Sequence, residues 1–180
     1  QDNEISWFDW DISSEEQALF TFTSGLIMLR AAHPVFRRRQ FFQGRSIYGA
    51  DIKDLSWFRP DGQEMTEEDW KQGYVRCLGV RLAGDRIDEK DHLGNPILDD
   101  TFLLLINAHH EPIQVTLPPA PVNVQWQLVL DTVQDVIPAH APLVTEGRHY
   151  DLKGRSLALM QIETAVPIRK SLKGFPRPRP

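Results

Sequence analysis

The residues whose types could do chemistry are few and clustered. His109-His110-Glu111 sets two imidazoles beside a carboxylate. A zinc site needs three or four converging ligands, whereas neighbouring side chains on a strand point to opposite faces, and Cys77 is the only thiol in the chain. Residues 107–112 are therefore read as a loop joining two strands, its histidines structural or exposed. No metal and no cofactor is expected. Asp85, Asp88, Asp91, Asp99 and Asp100 are the oxygen donors that calcium takes six to eight at a time, but their spacing is not that of an EF-hand loop. They are expected to form a solvated acidic loop. Near the start, Trp7, Phe8 and Trp10 stand among Asp2, Asn3 and Glu4. Such rings offer flat apolar faces next to groups that hydrogen-bond hydroxyls.

The chain that must position these groups has an ordinary globular composition. Its 180 residues are 41% hydrophobic and fit one domain, or one domain with a piece of another. That length is too short for a (β/α)8 barrel of about 250 residues. With 20 basic and 25 acidic residues the net charge is −5. The five basic residues of 169–180, without an acid among them, leave the body still more negative. A negative body argues against nucleic acid as a partner. The tail, ending Pro176-Arg177-Pro178-Arg179-Pro180, reads as a disordered basic segment of polyproline type. The densest apolar run, Phe102 to Ile106, falls well short of the ~18 residues of a membrane helix, so no membrane partner is expected. No signal peptide is visible. The chain opens on Gln1, which suggests a fragment or a processed product. A single cysteine agrees with a reducing compartment, and a cytoplasmic location is expected.

Hydrophobic spacing predicts the elements. Ser13-Ser14-Glu15-Glu16 is a capping box, and behind it Ala18, Leu19, Phe22, Leu26 and Leu29 mark one face of a helix. His33-Pro34 stops that helix, since the residue before proline is pushed out of the α region. From about residue 40 the period becomes two. Val122, Val124, Trp126, Leu128 and Leu130 predict a half-buried strand with Trp126 inside, and Ile113, Val115 and Leu117 another. Phe102–Ile106 and Leu157–Ile162 read as strands buried on both sides, with Tyr74–Leu82 a further strand. Asp51–Asp69 and Gly84–Asp100 read as long polar loops, with one helical turn starting at Thr66-Glu67-Glu68-Asp69. Several short strands punctuated by prolines predict an antiparallel β-sandwich preceded by one amphipathic helix.

Several segments carry a family resemblance. Gln1-Asp2-Asn3-Glu4-Ile5-Ser6-Trp7-Phe8-Asp9-Trp10, Ile27–Phe36, Trp57-Phe58-Arg59-Pro60-Asp61-Gly62 with Met65-Thr66 and Asp69-Trp70, Leu104–Pro112 and Arg155–Leu159 resemble the isoamylase-type branch of the α-amylase family of glycoside hydrolases. The likeness is greatest to its bacterial glycogen debranching enzymes. It runs from residue 1 to about 165.

The resemblance implies a parent enzyme hydrolysing α-1,6-glucosidic branch points in glycogen or limit dextrin. Residues 1–38 would be the last loop and helix of its catalytic barrel. Residues 39–168 would be its all-β C-terminal domain, and 169–180 the tail. A retaining glycosidase of this kind needs two carboxylates about 5–5.5 Å apart. The family's strand motifs that supply them are absent here. Arg86-Ile87-Asp88 matches the bare Arg-x-Asp of the nucleophile segment but lacks a preceding apolar strand, and no His-Asp dipeptide occurs. No catalytic residue is assigned, and the chain alone is expected to be inactive. Asp2, Asn3, Glu4, Trp7 and Trp10 would contact α-glucan in the parent, where they correspond to the rim on which barrel active sites are built. The expected partners are α-glucan through the parent, the catalytic barrel, and a second copy of this chain through the helix stripe. The competing function is a glucan-binding sandwich that works without a barrel. It is disfavoured by the lack of paired exposed aromatics in the sandwich sequence.

Overall fold

The computed structural model describes residues 2–7, 10–44, 53–120, 124–133, 141–142 and 149–162. Phe8, Val122 and the basic tail lie outside the described residues.

A single long helix, α1 (Ser14–Ala32), opens the structure. Its capping box forms as predicted. The Ser13 hydroxyl accepts from the Glu16 amide, and the Glu16 carboxylate accepts from the Ser13 amide at 2.7 Å. That amide bond holds the Glu16 carboxyl below its usual range. The helix ends before His33, and Pro34–Arg37 forms a short 3-10 turn.

Among the described residues, eight strands follow. They are β1 (Leu55–Phe58), β2 (Cys77–Leu82), β3 (Thr101–Asn107), β4 (Ile113–Thr116), β5 (Gln127–Asp131), β6 (Ala141–Pro142), β7 (His149–Leu152) and β8 (Ser156–Ile162), with a one-turn helix α2 (Glu67–Trp70) after β1. Six strands make one sheet in the order β1-β2-β3-β8-β5-β6, and β4 pairs with β7 in a second. All of these pairings are antiparallel. The fold is mainly β, as the spacing predicts.

The large sheet is covered on both faces, which explains the unbroken apolar runs of its central strands. Leu103 and Leu105 of β3, with Ala158 and Met160 of β8, face the small sheet and pack with Val115, Leu152 and Trp126. Phe102 and Leu104, with Leu157 and Leu159, face the other way. There they meet Phe22, Leu26 and Leu29 of α1. The helix stripe therefore folds back on the sandwich, although Leu19 remains exposed together with Phe20 and Ile27.

Three expectations need correction. The polar segment 51–69 contains the edge strand β1, whose Phe58 is buried while Leu55 and Trp57 are half-buried. β5 starts only at Gln127, leaving Val124 exposed, and its register shifts between Leu128 and Leu130. That bulge sends Leu128 to the inner core and Leu130 to the helix side, so the simple alternation fails there. Trp126 is nonetheless buried, its indole N–H donating to the Pro118 carbonyl at 3.1 Å. Finally, the sandwich does carry a surface aromatic pair. Trp57 and the half-exposed Trp70, distant in sequence, meet edge to face at 5.3 Å.

Candidate functional site

The chain that leaves α1 has a physical problem. Residues 33–44 form no strand, although Val35 and Phe36 pack in the cluster on the helix-side face of the large sheet, so their backbone donors need other partners. Three buried carboxylates supply them. Asp99 accepts from the Val35 amide at 2.9 Å through Oδ2, while Oδ1 accepts from the Asp100 amide at 2.8 Å and lies at hydrogen-bond distance, 2.8 Å, from His33 Nδ1. Glu89 takes the Arg39 and Gln40 amides at 2.8 and 3.2 Å and the Arg39 Nε at 2.9 Å. Asp54 takes the Gln43 and Gly44 amides at 3.0 and 2.9 Å and Arg38 Nη1 at 3.0 Å.

The loops that carry these acids are themselves tied to the sheet. The Asp54 carbonyl accepts from the Ala83 amide at 3.1 Å, and the Gly84 carbonyl from the Asp99 amide at 2.9 Å. Gly84 is required there, because a Cβ would stand 2.0 Å from the Asp100 carbonyl oxygen. Phe36 and His33 pack on Phe102, with ring centroids 4.7 Å away in each case. Burial opposes ionisation of Glu89, but the hydrogen bonds from the Arg39 side chain and the Arg39 and Gln40 amides outweigh it and hold the carboxyl below its usual range. The arrangement is a strap held by charge-assisted bonds, which are stronger than neutral ones.

Sequence reasoning missed this junction. It placed Asp99 and Asp100 in a solvated loop, whereas both are buried, with Asp100 accepting from Gln161 Nε2 at 2.5 Å. A usable signal was present. Asp99-Asp100 stands one residue before the apolar run Phe102–Ile106, and the basic cluster Arg37-Arg38-Arg39 follows the helix stop. His33, Asp99 and Asp100 bring potential ligand atoms within 4.8 Å of one another, but the Asp99 oxygens already serve the strap. His109, His110 and Glu111 do the same on the surface. Their histidines lie in a turn, so the two rings sit side by side at 4.3 Å instead of on opposite faces.

The residues predicted to meet sugar are only partly brought together. Asp2, Asn3, Glu4 and Trp7 line one shallow hollow of about 400 Å³ with Ile5. The Asn3 carbonyl accepts from the Ser6 and Trp7 amides at 2.9 and 3.1 Å, and the Trp7 indole N–H donates to Asp2 Oδ1 at 2.6 Å. Trp7 is 60% exposed. Trp10, 82% exposed, is not part of the hollow.

A helix strapped onto an antiparallel sandwich defines a mainly β domain carrying an N-terminal helical element. Comparison with known proteins makes the class specific: residues 54–161, from the residue before β1 to the penultimate residue of β8, match the family model described as isoamylase, C-terminal. The chain belongs to the isoamylase C-terminal domain family. It is 38% identical over 162 residues to the "Glycogen operon protein GlgX homolog" of Mycobacterium tuberculosis, covering 89% of this chain and 22% of that protein. It is 31% identical over 118 residues to the "Glycogen debranching enzyme" of Dickeya chrysanthemi, 66% of this chain and 14% of that one. The "Isoamylase" of a Flavobacterium species is 25% identical over 167 residues, 88% and 20% respectively. The chain thus spans between 14% and 22% of the length of these relatives. Among the described residues, no helix is long and apolar enough to cross a membrane.

Proposed function

We propose that this chain is the C-terminal part of a cytoplasmic glycogen debranching enzyme that hydrolyses α-1,6 branch linkages, and that its own role is structural. Residues 1–38 belong to the catalytic barrel as its last loop and helix, residues 39–168 are the all-β domain, and 169–180 are a basic tail. The observation that carries the reading is the strap. Three carboxylates fix the exit of α1 on the sandwich, so the orientation of that helix, and of whatever packs on it, is set by the β domain. The exposed Leu19, Phe20 and Ile27 support this, since they leave part of α1 to be covered. The barrel is the occupant proposed here, and a second copy of the chain is its competitor. In the parent, Asp2, Asn3, Glu4, Trp7 and Trp10 contact α-glucan, the rings stacking on pyranose C–H faces.

The test has two arms. The purified chain should release no reducing sugar from glycogen or pullulan. When co-expressed with a relative's protein truncated before the matching segment, it should co-purify with that barrel and restore debranching. Sustained release by the chain alone, or failure to associate with the barrel, would overturn the proposal.

A further inference from the structure

We propose that the sandwich carries its own α-glucan binding groove, remote in sequence from the N-terminal aromatic segment and centred on Tyr74. The choice of α-glucan as ligand rests on the function proposed above; the groove itself is an observation about this chain. It is a cleft of about 510 Å³ between α2 with the segment after it and the loop joining β3 to β4, within the range of roughly 300–1,000 Å³ usual for small-ligand sites.

Its chemistry suits a neutral polyol. Tyr74, 72% exposed, lines the cleft and supplies an accessible aromatic ring there. Charged groups of both signs line the groove in equal number, Arg59 and Arg76 against Asp69 and Glu111, with Gln72 as a further donor and acceptor. A phosphate or nucleic acid calls for a basic surface, and this groove has none. Hydroxyls, each both donor and acceptor, match these polar groups, and the C–H faces of a sugar match the apolar lining of Pro60, Met65, Val75, Pro112 and Ile113 that makes up the larger part of the groove.

Part of that lining is preorganised. Arg59 is held by Asp61, with Nη2 donating at 2.7 Å and Nε at 3.2 Å. Asp69 caps α2, its Oδ2 accepting the Thr66 amide and hydroxyl at 2.8 and 2.9 Å. Those bonds keep its carboxyl below the usual range. Oδ1 has only a 3.4 Å contact to Arg59 Nη1, which leaves good acceptor capacity toward the cleft. Holding the fork and the acceptor in place before the ligand arrives lowers the ordering cost of binding.

The probes are maltoheptaose, followed by titration of the 180-residue chain, and glycogen cast into native gels. Tyr74→Ala should weaken maltoheptaose binding about five-fold, the scale of one ring-stacking contact, and shift the glycogen concentration needed for retardation upward by a similar factor. Tyr74→Phe should bind as wild type does. Circular dichroism checks that each variant is folded. Absence of wild-type binding at millimolar maltoheptaose overturns the groove, as does binding that Tyr74→Ala leaves unchanged. If Trp7→Ala with Trp10→Ala abolishes binding instead, the sugar site is N-terminal and the groove proposal also falls. If the chain binds no sugar yet restores debranching to the barrel, the groove alone is wrong. Binding through Tyr74 without any association with a barrel sinks the structural role and leaves an autonomous glucan-binding domain.

Discussion

Residues 2–7 and residues 33–44 flank the same helix and are held in opposite ways. In the N-terminal segment the hydrogen bonds described above join residues at most five positions apart, all of them at the surface. In the strap the partners are 10 to 66 residues away and the carboxylates are buried. A local turn fixes a loop's shape, while long-range charge-assisted bonds fix its place on the body. The C-terminal end of α1 is thus integrated into the sandwich by bonds of long range, while the bonds described before its N-terminal end are local.

The largest effect expected from this contrast is at Asp54, which is fully buried opposite a nearly buried Arg38. Asp54→Ala should cost about 3–5 kcal/mol, because it leaves a buried charge without a partner. That matches Trp126→Ala in the inner core, expected at about 3–5 kcal/mol for a large aromatic. Urea unfolding of both variants checks the pair, and a loss below about 1 kcal/mol at Asp54 would mean the strap does not anchor the chain.

Next in size is Leu26→Glu. With α1 packed on the sandwich, a charge in that layer should cost about 2 kcal/mol and leave a monomer in sedimentation. A wild-type dimer that the variant dissolves without loss of stability would instead place this face between two copies.

The acid limb of the stability curve gives a smaller, graded test. Glu89, Asp69, Glu16, Asp61 and Asp91 all sit below their usual ranges when folded. Below its unfolded value each such group binds more protons unfolded than folded, so its stabilisation is complete above the ordinary carboxylate range and fades as pH falls through the folded value. Unfolding midpoints should hold steady near neutrality and drop on acidification below about 4.5, the ordinary glutamate value. Glu89→Gln should make that drop shallower, while an unchanged acid limb would discount the strap's ionised state. At the alkaline end, burial raises the Cys77 thiol to about 11 from 9.0. The folded protein then holds a proton that the unfolded chain loses, and stability should fall above pH 9.

The smallest effect belongs to the other end of the helix. Trp7→Ala and Trp10→Ala should each change stability by no more than about 0.5 kcal/mol, as exposed substitutions do. Thermal melts with a shift equivalent to more than about 1 kcal/mol would show these rings packed on the body, and the contrast would collapse.

How much of this was legible depended on range. The capping box at Ser13, the stop at His33-Pro34 and the two-sided burial of β3 and β8 follow from spacing within a few residues. β1 was hidden because a four-residue edge strand among prolines and acids looks like loop. The Trp57–Trp70 pair and the Tyr74 groove exist only because β1, α2 and the β3–β4 loop converge.

The sequence by itself determined a mainly antiparallel β domain with one capped helix ahead of it, and its segments pointed to the isoamylase-type branch. Local periodicity and turn chemistry are written in neighbouring residues, so they survive reading along the chain. Only the tertiary structure decided what the acids do. Asp54, Glu89 and Asp99 look like solvent-facing charges until the sheet brings them under an unpaired strap, where buried amides and arginines need acceptors and water cannot supply them.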